Sequence, residues 1–242
     1  AQGSGRVPWI LGARYHCGAG RNAGMSAGMN AQLAQAERGA LCDLLLEVGP
    51  DAPTLCEGWT AAHMAAHLVL RERRPDVGLG LVLPGPFARH TERATERLAE
   101  RSAERLSFER LVARIRSGPP RLLRLVDGPM NIVEFFVHLE DVRRATDGWT
   151  PRTGLDGLQD ALWPFQKSGT KLRTRQVRDV ALAIARPDGE PVDIRTGARQ
   201  VTVTGDPGEL TMFFFGRRDQ SRVELTGDPD GIAEVLSAPI GF

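Results

Sequence analysis

The sequence predicts an α+β protein, a helical bundle followed by a small unit of mixed strands and helices. Three observations predict it. Apolar residues recur at helical spacing in successive segments between residues 31 and 146. Short links carrying Gly and Pro join those segments, as in an up-and-down bundle. After Arg178 the pattern changes to short runs rich in Val, Ile and Thr, which read as strands.

Residues 1–30 are rich in Gly, Ala and Arg and have no sustained apolar run. That is a poor secretory signal, and a disordered extension is expected there, or sequence upstream of a start at Met25 or Met29. The bundle is assigned to 31–165 and the C-terminal domain to 175–242. Leu33, Leu41, Leu44, Leu45 and Val48 form the stripe of a first helix over 31–48, ended by Gly49-Pro50. Thr60 is placed to cap a second helix from His63 to about Arg73, and Pro75 stops it. Residues 78–86 form an apolar Gly/Pro loop, a candidate lid or pocket wall.

The Arg/Glu-rich stretch 90–116 reads as a solvated helix pair broken near Ser107, its charges paired at i,i+3. A further apolar helix is expected over 121–126. Asn131 is then expected to cap a strongly apolar helix running to about Thr146 and closed by Gly148. Residues 149–170, with Pro151, Pro164 and several glycines, read as a transition zone.

Strands are expected at 180–185, 192–195, 200–204 and 222–226. Two copies of Thr-Gly-Asp-Pro, at Thr204 and Thr226, each end a strand and open a helix. Asp206 and Asp228 are the caps and Pro207 and Pro229 the first helical residues.

Composition limits the function classes. Net charge is +1, and arginines are interleaved with glutamates rather than gathered in a patch, so nucleic acid is not expected as a partner. No apolar run approaches the ~20 residues of a membrane span. Cys17, Cys42 and Cys56 are too few and too irregular for a disulfide framework, which fits a reducing cytoplasm. Cys42 reads as a core residue. Cys56 reads as a packed thiol, with a redox or ligand role as the alternative.

The chemistry lies in two helical segments. One holds His63 and His67, the other Glu134 and His138, each pair at i,i+4 and so on one helix face. His67, Glu134 and His138 together would offer two imidazoles and a carboxylate, a set that suits Zn²⁺ and leaves a fourth position open. Glu134 sits among Ile132, Val133, Phe135, Phe136 and Val137, where an ionised carboxylate needs a partner. Spacing alone leaves the other outcome open, in which these are hydrogen-bonded core or exposed residues. Ni²⁺, Fe²⁺ or Mn²⁺ would accept the same donors.

The segment Leu55-Cys-Glu-Gly-Trp-Thr-Ala-Ala-His-Met-Ala-Ala-His-Leu68, followed by Arg71-Glu-Arg-Arg-Pro-Asp76, resembles the N-terminal signature of the mycothiol-dependent maleylpyruvate isomerase family. That family belongs to the DinB-like metal-binding four-helix bundles, and the likeness is greatest to an actinobacterial metal-binding subgroup. The run Leu210-Thr-Met-Phe-Phe-Phe-Gly-Arg217 resembles part of the family's small C-terminal α+β domain.

The resemblance implies His67, Glu134 and His138 as zinc ligands and mycothiol as thiol cofactor. It implies an isomerase or S-transferase acting on an electrophilic small molecule, as a cytoplasmic monomer or homodimer. It also implies a catalytic Arg in the C-terminal domain, for which Arg217 is the nearest match. Arg217 would hold a substrate carboxylate, or else complement a helix C-terminus. His63, outside the family's ligand set, reads as a supporting group, a fourth ligand or a surface residue. Asp141 reads as a hydrogen-bond partner of a ligand imidazole or as an ion-pair partner of Arg144. Two other classes stay open. One is a non-catalytic metal-binding protein taking an apolar ligand along Phe213, Phe214 and Phe215. The other is a hydrolase with Glu57, Glu72 or Asp141 as base.

Overall fold

The structure is a computed structural model, and it describes residues 19–74, 86–120 and 130–240. Eight α-helices and one four-stranded sheet are present among these residues. The helices are α1 (Ala19–Val48), α2 (Ala61–Arg73), α3 (Pro86–Glu100), α4 (Arg105–Arg116), α5 (Met130–Arg143), α6 (Asp156–Arg173), α7 (Pro207–Phe214) and α8 (Pro229–Ser237). The strands are β1 (Val180–Ala185), β2 (Val192–Asp193), β3 (Arg199–Thr204) and β4 (Glu224–Gly227). The fold is therefore α+β, helices first and sheet last.

Helices α1, α2, α4 and α5 share one core. Leu41, Cys42 and Leu45 of α1 meet Met64, Ala65 and Leu68 of α2, Phe108, Val112 and Ile115 of α4, and Phe135 and Leu139 of α5. The alanines of α2, at 61, 62, 65 and 66, are all buried. Small side chains there let neighbouring helices approach closely. Helix α3 lays a stripe of Thr91, Thr95 and Ala99 inward and keeps its charges outside.

Helix α5 is wrapped on three sides. Phe135, Leu139 and Val142 enter the helical core. Ile132, Phe136 and Val137 pack on Leu158 and Leu162 of α6 and Met212 of α7. The third side carries Glu134, His138 and Asp141, at i, i+4 and i+7, so a polar stripe on a mostly apolar helix is held in register.

The sheet order is β2-β1-β3-β4, with β1 and β3 parallel and both outer strands antiparallel to their neighbours. Val180, Leu182 and Ile184 alternate inward with Val201 and Val203, and α7 and α8 cover them with Leu210, Phe213, Phe214 and Val235. Both Thr-Gly-Asp-Pro repeats do end a strand and open a helix. Asp228 accepts a hydrogen bond from the Gly231 N–H at 2.8 Å, whereas the Asp206 side chain makes no such bond.

A buried ionic chain joins the two parts. Arg144, after α5, forks onto Glu209 of α7 at 2.7 and 2.8 Å and also bonds Glu140 at 2.6 Å. Arg152 carries the chain from Glu140 to Glu37 of α1.

Several boundaries differ from the expectation. Helix α1 starts at Ala19, so residues 19–30 of the expected disordered extension are helical, their Ala/Gly/Asn-rich turns carrying no apolar stripe for periodicity to find, and residues 1–18 lie outside the described residues. The α3–α4 break falls at 101–104, not near Ser107, in a turn that no Gly or Pro marks. Asn131 lies inside α5 rather than capping it, and α5 ends at Arg143, before Thr146. The transition zone contains a whole helix, α6. Its Pro164 faces solvent, so the carbonyl that loses its N–H partner can be hydrated. Residues 192–193 and 224–227 form shorter strands than expected. The expected loop at 78–86 falls almost wholly outside the described residues, and the expected helix at 121–126 wholly so.

Candidate metal centre

The site forms where α2, α5 and the 51–60 loop meet. The loop is fixed by local bonds. Trp59 N–H bonds the Cys56 carbonyl at 2.9 Å, and Thr54 Oγ1 donates to the Trp59 carbonyl at 3.0 Å. Gly58 turns the chain at φ +75, a value side chains rarely tolerate. Leu55 N–H donates to the Asp141 carbonyl at 3.0 Å, tying the loop to α5.

His67 Nε2 and His138 Nε2 both lie 3.3 Å from the same atom, Glu134 Oε1. The three ligand atoms are within 4.8 Å of one another. Arg71, one turn beyond His67, places Nε 3.2 Å from that oxygen and its Nη1 2.9 Å from Asn131 Oδ1. The Trp59 ring stands 5.2 Å from the His67 ring and walls it.

A second layer lies behind His138. Its Nδ1 is 3.1 Å from Asp141 Oδ2. Asp141 is fully buried, and Arg217 grips it through Nε to Oδ1 and Nη2 to Oδ2, both at 2.7 Å. Cys56 Sγ donates to Asp141 Oδ2 at 3.3 Å and receives Arg217 Nη2 at 3.1 Å. Cys56, His138 and Asp141 thus make a second donor group that shares His138 with the first.

These contacts set the charges. Burial pushes the His67 imidazole down, and only partly does Glu134 offset it, so this ring is neutral near pH 7. Burial also opposes ionisation of Glu134, but bonds from His138 and His67 and the nearby Arg71 hold its carboxyl well below the usual range. His138 is held well above the ordinary histidine value, because bonds to Asp141, Cys56 and Glu134 outweigh burial. For Asp141 burial again opposes, and His138 and Arg217 hold it below the usual carboxylate value.

The donors fit a Zn²⁺ ion. Two imidazole nitrogens and a carboxylate are a common catalytic zinc set. Bonds of about 2.0–2.1 Å at tetrahedral angles separate neighbouring ligand atoms by about 3.3–3.4 Å. Both nitrogens stand at 3.3 Å from the shared oxygen.

The other candidates fall elsewhere. His63 turns away from this cluster. Its Nδ1 accepts from the Thr60 N–H at 3.3 Å, which caps α2, and its Nε2 lies 3.9 Å from Glu96. Glu72 is paired with Arg38 in the helical core, and Glu57 is exposed, so neither faces the donors. The alternative pairing of Asp141 with Arg144 does not occur, since Arg144 belongs to Glu140 and Glu209. Phe213 and Phe214 are buried in the sheet's core, and Phe215 lies under the Arg173 guanidinium. Arg217 is not open to solvent as a free grip. It reaches back from the turn after α7, where Gly216 takes φ +89. Cys56 is drawn into the site through contacts that span 85 and 161 residues, which sequence spacing does not reveal.

The fold is a helical unit that carries a group of donors able to hold a metal ion, with a small α+β appendage. Residues 31–129 match the family described as the mycothiol maleylpyruvate isomerase N-terminal domain. That match covers the first part of the helical unit and leaves the C-terminal α+β unit outside it. The match includes His67 and stops before Glu134. Two solved structures share the fold across most of both chains, each covering 81% of this chain and 91% of the other at 17% identity. One is the crystal structure of the mycothiol-dependent maleylpyruvate isomerase, with a TM-score of 0.53. The second, a histidine-to-alanine mutant of a protein described in the same words, has a TM-score of 0.54. No curated protein matches the chain. Among the described residues no helix is long and apolar enough to cross a membrane.

Proposed function

We propose that this chain is a zinc-dependent, mycothiol-using enzyme of the maleylpyruvate isomerase type. It would add a thiol to an electrophilic carbon and then either release it after bond rotation or retain it. The observation that carries the reading is the convergence of His67 Nε2 and His138 Nε2 on Glu134 Oε1, at 3.3 Å each. The domain match over residues 31–129 and the shared fold support the choice of thiol.

His67, Glu134 and His138 would hold the ion. A bound Zn²⁺ would supply a Lewis acid that lets a coordinated thiol ionise near neutral pH. The rest belongs to the chain. Burial keeps His67 neutral, and a shift of its proton to Nδ1 would free the Nε2 lone pair for the ion. Asp141 holds the Nδ1 side of His138, leaving Nε2 toward the other donors. Arg71 balances the Glu134 charge and, being partly exposed, would offer its guanidinium to a carboxylate on the substrate. Trp59 screens the His67 side from water.

The test is turnover of maleylpyruvate by zinc-loaded protein with and without mycothiol. Loss of the cis double bond only when mycothiol is present supports the reading. A zinc-loaded, folded protein that turns over neither this substrate nor a thiol-reactive alkene supports the non-catalytic metal-binding reading instead.

A further inference from the structure

We propose that Arg217 is a positioning residue of the metal centre. Acting through Asp141, it fixes the orientation of His138, so that the C-terminal α+β unit sets the metal affinity of the helical unit. The inference rests on the metal reading above.

Asp141 is the pivot. With no exposed surface, its carboxylate must find all its partners inside the protein. Oδ1 takes Arg217 Nε, and Oδ2 is shared by Arg217 Nη2, His138 Nδ1 and Cys56 Sγ. A bidentate guanidinium fixes the plane of a carboxylate as well as its place. That plane aims Oδ2 at Nδ1. The ring is then held with Nε2 toward Glu134 Oε1, since a flip would carry Nδ1 away from its partner.

Arg217 is itself held. Its Nη1 donates to the Phe215 carbonyl at 2.6 Å and its N–H to the Met212 carbonyl at 3.0 Å. Four of the guanidinium's five N–H donors are engaged, on Asp141 twice, on Cys56 and on Phe215. Little is left for a substrate carboxylate. The same geometry makes Arg217 the residue through which the turn after α7 reaches the donors on α5.

The experiment measures zinc affinity by chelator competition for the full chain and for Arg217→Ala, Asp141→Asn, the double variant and Arg217→Lys. Loss of an outer partner of a ligand histidine typically costs about 10–100-fold in affinity. Arg217→Ala and Asp141→Asn are each expected to weaken zinc by that range, and the double variant no further than the weaker single. Arg217→Lys recovers part of the loss, which a general loss of fold would not show. Wild-type affinity in Arg217→Ala overturns the proposal, as do losses that multiply in the double variant. A wild-type chain that binds no zinc overturns the metal reading and this inference with it, so the two failures are distinguishable. If Arg217→Ala does not fold, the comparison of Arg217→Lys with Asp141→Asn decides on the same terms.

Discussion

His67 and His138, on helices joined only through the tertiary fold, stand with ring centroids 5.2 Å apart at 74°, edge to face. Neither ring stacks on the other. Each presents Nε2 to the same carboxylate oxygen, an arrangement that packing alone does not require. Burial favours the neutral form of both rings and prevails at His67, whereas at His138 the bonds to Asp141, Cys56 and Glu134 outweigh it and favour the charged form.

The two histidines of α2 are therefore expected to separate by function. His67→Ala should lower zinc affinity by at least ~100-fold, since it removes a ligand. His63→Ala should leave zinc affinity unchanged and cost about 1 kcal/mol of stability, because it removes a helix cap. Chelator competition and urea unfolding read the two effects. A large loss of zinc in His63→Ala would place that residue among the ligands.

Zinc uptake should release a proton. In the metal-free protein His138 faces Asp141 through Nδ1 and Glu134 through Nε2, so it carries both protons near pH 7. A metal on Nε2 displaces one of them, whereas His67 has none to give. Affinity should therefore rise with pH. Titration calorimetry in buffers of different ionisation enthalpy should count about one proton per ion. A count of zero would contradict the charged state of His138.

The ionic chain between the two units should be expensive to break. Arg144 and Glu209 are both buried, and removing Glu209 takes away one of the two carboxylates that pair with Arg144 and strips its Nη2 of an acceptor. Glu209→Ala is expected to cost about 3–5 kcal/mol. Urea unfolding checks it, and a loss below about 1 kcal/mol would mean that water reaches Arg144.

At alkaline pH Cys42 should weaken the fold. Burial pushes its thiol from 9.0 up to about 11, so the folded state keeps a proton that the unfolded chain gives up. The sign follows. Stability is complete below pH 9 and falls as pH rises from there to about 11, by at most about 3 kcal/mol. The difference in unfolding free energy between the wild type and Cys42→Ala, followed over that range, should shrink. A constant difference would show that the buried thiol does not titrate in this way.

The α+β class was legible because helical and strand periods occupy separate stretches of the chain. Of the site, the pairing of Glu134 with His138 was legible, since i,i+4 spacing is a local property of α5. His63 has the same spacing from His67 and the opposite fate. Helical spacing marks a shared face but does not say what that face meets, and the Thr60 N–H captures His63. Asp141 was within reach as a residue three after His138, but its Arg217 partner comes from a turn 76 residues away. Cys56 likewise enters through the tertiary fold. Helix α6 was hidden by Pro164 and its glycines, although Leu158 and Leu162 hold a helical stripe. A proline on the exposed face costs less than its general reputation suggests.

The central claim is tested most directly by metal content. Plasma mass spectrometry should be run on protein purified without added metal, beside His138→Ala prepared in the same way. The account predicts about one zinc per chain in the wild type and a clear loss in the variant, with both chains folded. A folded wild-type protein that carries no metal and takes up none from solution would contradict it. His67, Glu134 and His138 would then be a hydrogen-bonded polar cluster.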